Sequence, residues 1–286
     1  DDTLKFVPTQ ADRHRYRSIV LDRQPPDDGS LMADAYKFFK RQLVTGVDSN
    51  GDQGVDPARV LTTIEHALQV VMINLGDEDD PYLIFESLNF KGEPLTQADL
   101  VRNYLLMRFR HSISAGGEQE RIFSQYWAPM EQQLGANLTG FLRHYAMKDG
   151  ENIYQGGIYA ATKQRLKDMG SSEEVEREVE RMNDYAQIYA AVLAPHRELD
   201  AAVKSRLENI QELDVSTSYP LLLRLFDARS AGQLGSAELE ECLKLIESFV
   251  VRRSVCAVPT NSLNKLFLQW TRNFPIARHA EWLHRS

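Results

Sequence analysis

The chain has 286 residues, with 33 Lys and Arg against 41 Asp and Glu, a formal net charge of −8 at pH 7. A 43% hydrophobic and 26% charged composition excludes wholesale disorder, and this length allows one large domain or two modest ones with a sizeable core. A pI near 5.5 excludes a generally basic surface, so any nucleic-acid contact is confined to a local patch.

Two cysteines, Cys242 and Cys256, are too few for a disulfide framework. They fit a reducing compartment, and a cytoplasmic location is expected. No uninterrupted apolar run approaches the roughly 20 residues that span a bilayer, so no membrane partner is expected. The opening Asp1-Asp2-Thr3-Leu4-Lys5 does not read as a signal peptide. It has no initiator Met, and the chain is expected to start inside a longer gene product.

The basic stretch Arg13–Arg17 predicts a short helix running into Ile19-Val20-Leu21. Gln24 to Ser30 holds two prolines and a glycine and reads as a loop. Ser30 can then cap a helix through Met32, Tyr36, Phe39 and Leu43. Val47 to Gly54 is a polar loop with only a superficial likeness to a calcium loop. Its sixth position is Gln53 and its twelfth is Arg59, so the ligand set fails. Asp56-Pro57 opens a helix through Leu61, Ile64 and Leu68. Val70 to Leu75 is short and β-branched, the best strand candidate, and the acidic run Asp77–Asp80 behind it reads as a solvated loop.

Beyond Tyr82 the pattern is helical. Val175, Val179, Met182, Ala186, Tyr189 and Leu193 form one apolar seam, which predicts a helix over 172–193. Glu173 with Arg177, and Glu178 with Arg181, are expected to form ion pairs on its outer face. A further helix is expected through Leu199, Val203, Leu207 and Ile210. Leu239, Cys242, Leu243, Ile246, Phe249 and Val250 predict another over 236–251, with Cys242 a small buried hydrophobe. Cys256 follows two arginines and is assigned a structural role. Breaks are expected at 114–117, 170–172 and 231–235. The fold class expected is mainly α, a multi-helix bundle-like body with a minor β component before residue 90.

Usual catalytic signatures are absent. The seven His (14, 66, 111, 144, 196, 279, 284) never adopt a ligand spacing and are expected at the surface. There is no phosphate loop, no G-x-S-x-G elbow and no C-x-x-C. No catalytic residue and no metal ligand is assigned. The segment Phe85–Tyr104 stands apart. Asn89, Lys91 and Gly92 suit a turn whose backbone N–H groups could meet an anion. Thr96 is a natural N-cap, and Asp99 three residues later completes a capping box. Asp99, Arg102 and Asn103 then share one helix face, a polar ledge suited to a phosphate or nucleotide. The structural alternative is that Asp99 caps, Arg102 pairs with Asp99, and Asn103 satisfies nearby backbone.

Phe85-Glu86-Ser87-Leu88-Asn89-x-Lys91-Gly92-x-x-Leu95-Thr96-x-x-Asp99-Leu100-Val101-Arg102-Asn103 resembles the signature of the GmrSD-type restriction family, in its N-terminal domain. Further blocks resemble the family upstream (Pro8-Thr9, Asp34–Phe39), in the middle (Tyr126–Glu131, Phe141–Tyr145) and late (Tyr219–Leu223, Phe249–Arg253, Asn261–Phe267). The resemblance implies a bacterial phage-defence protein that hydrolyses a nucleoside triphosphate and cuts foreign, often modified, DNA. It implies a ParB-like α+β N-terminal domain, whose remainder would occupy residues 1–110, followed by a helical domain over 111–286. It also implies a nucleoside triphosphate and a divalent metal for the full-length family, with no cofactor assigned to this chain. DNA is the implied partner, and a homo-oligomer is left open. The sequence departs from the family twice. It contains neither the Asp-Gly-Gln-Gln-Arg motif of the nucleotide site nor a His-Asn-His nuclease finger. Whether the chain is itself an enzyme is therefore left open. Asn89, Lys91, Gly92, Asp99, Arg102, Asn103, Arg252 and Arg253 are the nucleotide- or DNA-binding candidates, the last two for a phosphate or for an ion pair with the acidic surface. The competing expectation is a non-catalytic helical scaffold that senses DNA or a partner subunit.

Overall fold

A computed structural model describes residues 8, 10–24, 28–45, 56–69, 72, 95–109, 115–275 and 279–285. Every regular element among them is helical, as the mainly α expectation requires, and no strand occurs among the described residues. The expected strand at 70–75, apart from Met72 in irregular backbone, lies outside the described residues. So do the polar loop at 47–54 and the acidic run at 77–80.

The chain divides into two compact units, residues 1–81 and 82–286. The first carries α1 (Gln10–Val20), α2 (Leu31–Thr45) and α3 (Pro57–His66). Their starts follow the sequence signals. The Ser30 hydroxyl accepts from the Ala33 N–H at 3.3 Å, and the Asp56 carboxylate accepts from Ala58 N–H at 3.0 Å ahead of Pro57 at N1. Phe39, Leu43, Leu61 and Ile64 are exposed, and Leu68 lies beyond the end of α3.

The second unit begins with α4 (Gln97–Met107), α5 (Ala115–Ile122), α6 (Ala128–Leu134), α7 (Leu138–Met147), α8 (Ile158–Leu166) and α9 (Ser172–Leu193). It continues with α10 (Ala201–Glu212), α11 (Tyr219–Ser230), α12 (Ser236–Val255), α13 (Leu263–Arg272) and α14 (His279–Arg285). The break expected at 114–117 is corrected in part, since 115–117 already belong to α5. A π-helical turn, Phe123–Trp127, joins α5 to α6, with Ala128 N–H bonded five residues back to Phe123. Pro129 follows, lacking the N–H that Gln125 would accept from and crowding that carbonyl. The wider turn carries the chain past this conflict and buries Tyr126 and Trp127.

Two apolar clusters fill this unit. One joins Val101, Leu105 and Phe109 to Trp127, Met130, Phe141 and the α9 seam. The other joins Val203, Leu207 and Ile210 to α11, α12, α13 and α14. The seam is buried from Val175 to Tyr189, and burying each such side chain stabilises by roughly 1.5–3 kcal/mol. Leu199 is not part of α10's face. It precedes the Asp200 N-cap and is exposed. Cys242 is fully buried, as expected, and burial pushes its thiol up to about 12.

The histidine expectation holds for His14, His66, His196 and His284, which are exposed. It fails for His144 and His279, which are buried. His144 sits on α7 among Phe141, Tyr189 and Tyr219, with Nδ1 3.0 Å from the Tyr189 hydroxyl. An imidazole is apolar enough over most of its surface to serve as a core ring when one nitrogen finds a partner.

Candidate functional site

The ledge on α4 is half described. Asn89, Lys91 and Gly92 lie outside the described residues. The helix that follows them starts as the sequence indicates. Thr96 Oγ1 accepts from Asp99 N–H at 3.1 Å, and Asp99 reaches back to Thr96 N–H at 3.2 Å, a complete capping box. Leu100, Val101 and Leu105 enter the core from the opposite face. Gln97 accepts from the Tyr159 N–H at 2.9 Å, and Tyr104 meets Tyr159 edge to face, so α4 is locked against α8.

Arg102 bridges two carboxylates, Asp99 at 2.9 Å and Glu131 at 2.8 Å. Glu131 also accepts the Trp127 indole N–H at 2.7 Å. The guanidinium is thus committed within the fold, as the structural alternative for this residue states. Asn103 follows on the same helix, half-buried. In the sequence Glu131 stands only in the family-like block Tyr126–Glu131. Its part in this cluster was missed because it is 29 residues away from Arg102, and helical spacing reports only neighbours on one helix.

Arg252 and Arg253 lie in the last turn of α12, where cations are favoured by the helix dipole. Neither makes an ion pair with an acidic residue among the described residues, contrary to the ion-pair expectation. Arg252 Nε donates to the Ser248 carbonyl at 3.1 Å. Arg253 donates to the Pro259 carbonyl at 2.7 Å and to Ser262 at 3.0 Å, with its guanidinium over Phe249. They sit on a different helix from the ledge, and no contact joins them to Asp99 or Arg102.

A second charged cluster escaped sequence reasoning. Lys148, 2% exposed, follows α7 and pairs with Asp149 at 2.9 Å. Arg165 on α8 reaches the same Asp149 oxygen at 2.5 Å and approaches Glu178 at 3.8 Å. The Tyr145 hydroxyl donates to Glu178 at 2.9 Å, and the Lys148 ammonium lies over the Tyr145 ring. Glu178 is therefore buried and turned inward, which corrects the expected outer pair with Arg181. Arg181 lies 3.9 Å from Asp227 instead. The first expected pair is looser than a direct contact: Arg177 Nε donates to the Glu173 backbone carbonyl at 3.3 Å, and the Glu173 carboxyl is lowered first by its hydrogen bonds to backbone and Ser171 and then by the Arg177 charge. Burial lowers the Lys148 ammonium below its usual value. Against the cost of burial, hydrogen bonds from Arg165 and Lys148 hold the Asp149 carboxyl down at about 2. Among the described residues no group of three or more His, Cys, Asp or Glu side chains is placed to hold a metal ion.

The fold and the ledge define a mainly helical protein in which a capped, core-anchored helix carries a polar face. Residues 3–106 match the family model described as "GmrSD restriction endonuclease, N-terminal domain". The match spans the first unit and runs into the second as far as α4. The family-like blocks from Tyr126 onward lie outside the matched residues. No curated protein matches the chain. No helix among the described residues is long and apolar enough to cross a membrane.

Proposed function

We propose that the chain is the helical portion of an NTP-dependent, modification-dependent DNA restriction protein that contributes to nucleotide or DNA sensing. The observation that carries this reading is the double membership of α4. It closes the matched segment, and its Leu100, Val101 and Leu105 are built into the core of the second unit. A ligand held by Asn89, Lys91 or Gly92 would act on the helical body through this helix. The β component before residue 90 and a ParB-like origin for residues 1–110 belong to the same proposal. So do a nucleoside triphosphate with its divalent metal, DNA as partner, and action in the cytoplasm.

Arg102 is already shared by two carboxylates, and this favours a second reading, a helical scaffold that positions a sensor without touching its ligand. The two separate experimentally. In the intact protein, Asn89→Ala with Arg102→Ala is expected to lower triphosphate turnover and phage restriction while the helical circular dichroism is retained. Unchanged turnover and restriction would return the ledge to a purely structural role. DNA contact through Arg252 and Arg253 predicts an affinity that falls as salt rises, with a shallower slope for the double Ala variant. An unaltered slope would remove these arginines from the DNA surface.

A further inference from the structure

A pocket of about 140 Å³ lies among α12, α13 and α14, walled by Ile246, Phe249, Trp270 and Leu283. Its floor follows from helical spacing. Leu245, Phe249 and Arg252 succeed one another on α12 at i, i+4 and i+7 and share one face. The aromatic wall is braced. Phe249 and Trp270 meet edge to face with ring centroids 4.9 Å apart. Phe267 supports both, 5.4 Å from Trp270 and 6.3 Å from Phe249.

Three polar side chains line the pocket, Arg252, Trp270 and His284, and no carboxylate does. Arg252 spends its Nε on the Ser248 carbonyl, which leaves its terminal N–H groups without a partner among the described residues. Trp270 is only 7% exposed, yet its indole N–H makes no hydrogen bond among the described residues. A donor so nearly buried and unsatisfied carries a free-energy cost that an acceptor on a ligand would remove. The His284 imidazole, next to the buried Leu283, is exposed and likewise without a partner there.

A dry apolar cavity of about 150 Å³ is large enough to hold benzene, so this pocket has room for one six-membered ring or a branched alkyl group. Three donors with no carboxylate among them select an anion over an amine. The guanidinium fork takes a carboxylate bidentately. A phosphate is disfavoured, because the apolar walls would leave its remaining oxygens unsatisfied. We propose that this pocket binds a small carboxylic acid with an apolar ring or branched body, the body against Phe249, Trp270 and Leu283 and the carboxylate at Arg252. The pocket is separate from the α4 ledge, and the proposal needs neither nucleotide nor DNA.

The test follows the indole N–H magnetic resonance signals of the isotope-labelled full chain, which has three tryptophans. Trp270→Phe identifies the Trp270 signal, and Trp127, already bonded to Glu131, is the internal control. The probes are phenylacetate, phenethyl alcohol (the same body without the charge) and acetate (the charge without the body). Phenylacetate is expected to move the Trp270 signal saturably and leave Trp127 in place. The other two are expected to bind at least about tenfold more weakly, the worth of one charged hydrogen bond or one buried apolar group. Arg252→Met keeps the apolar stem and is expected to weaken phenylacetate by about tenfold or more. Arg252 is exposed, and the variant is checked for wild-type helical circular dichroism. Absence of a saturable Trp270 shift with phenylacetate would overturn the proposal. So would phenethyl alcohol or acetate binding as tightly, or an affinity that survives Arg252→Met unchanged.

Discussion

Glu131 holds two donors at once, the Trp127 indole and the Arg102 guanidinium. Removing the carboxylate leaves a buried indole N–H unsatisfied, and a hydrogen bond to a charged group contributes about 1.5–3 kcal/mol. Glu131→Ala is therefore expected to lower the urea unfolding free energy by about 2 kcal/mol, and Glu131→Gln by less, because the amide oxygen can still accept from the indole. Equal losses in both variants would assign the effect to charge alone. His144 makes a pH prediction. Burial holds its imidazole down at about 4, against a usual 6.5. Between these values the unfolded chain binds more protons than the folded one, so this contribution is whole above pH 6.5 and is lost as pH falls towards 4. A shift of this size corresponds to on the order of 3 kcal/mol. Asp149 acts in a lower window, present above its usual value of 3.8 and lost as pH falls towards 2. His144→Gln is expected to flatten the fall in stability between pH 7 and 4.5 in denaturant titrations, and an unchanged profile would place the proton uptake elsewhere. Neither residue's environment was legible in sequence. A histidine inside an apolar pattern gives no sign of whether a Tyr hydroxyl waits opposite it. Cys242 was legible, because its position on the seam of α12 dictates burial. A thiol reagent is expected to modify the exposed Cys256 quickly in native protein and Cys242 only after denaturation.

The elements show which local signals survive folding. Ser171 and Glu174 form a capping box at the start of α9, with Ser171 Oγ accepting from Glu174 N–H at 3.2 Å. Losing such a cap costs about 1 kcal/mol, so Ser171→Ala is expected to lower the unfolding free energy by that amount without changing the helix content. A loss near zero would mean that the 22-residue helix is held by its seam alone. That seam was read correctly from apolar spacing, because burial on one face is a property of the helix itself. The charged positions of the same helix were misread, because Glu178 is turned inward by donors on α7 and α8 that its own sequence neighbourhood cannot reveal. The α7–α8 connection was equally hidden. Gly150 there has φ +86°, and a Cβ would meet Arg272 at 2.5 Å, on a helix more than a hundred residues later. Such a backbone conformation costs a non-glycine residue about 1–3 kcal/mol before the clash is counted. Gly150→Ala is expected to destabilise by at least that much in thermal and denaturant unfolding, and a neutral substitution would show that α13 can move away.

At the scale of the molecule, burial is distributed unevenly. Every residue of the two buried apolar clusters lies between Ala98 and Leu283, inside the second unit. In the first unit the described helices carry their caps and ion pairs, but Phe38, Phe39, Val44, Leu61 and Ile64 are exposed. Helical periodicity set Phe39, Leu61 and Ile64 among the apolar positions of these helices, and the pattern alone cannot say whether a covering surface exists. Hydrophobic burial is the dominant favourable term in folding and is roughly proportional to the area removed from water. The second unit therefore has the means to fold by itself, and a fragment of residues 82–286 is expected to keep its helical circular dichroism and a single cooperative thermal transition. The full chain should then show that same transition, with residues 1–81 adding helical signal that melts at or below it. A fragment that is helical but melts without cooperativity would show that the clusters are incomplete without the first 81 residues, and α4 would then owe its place in the core to the domain before it.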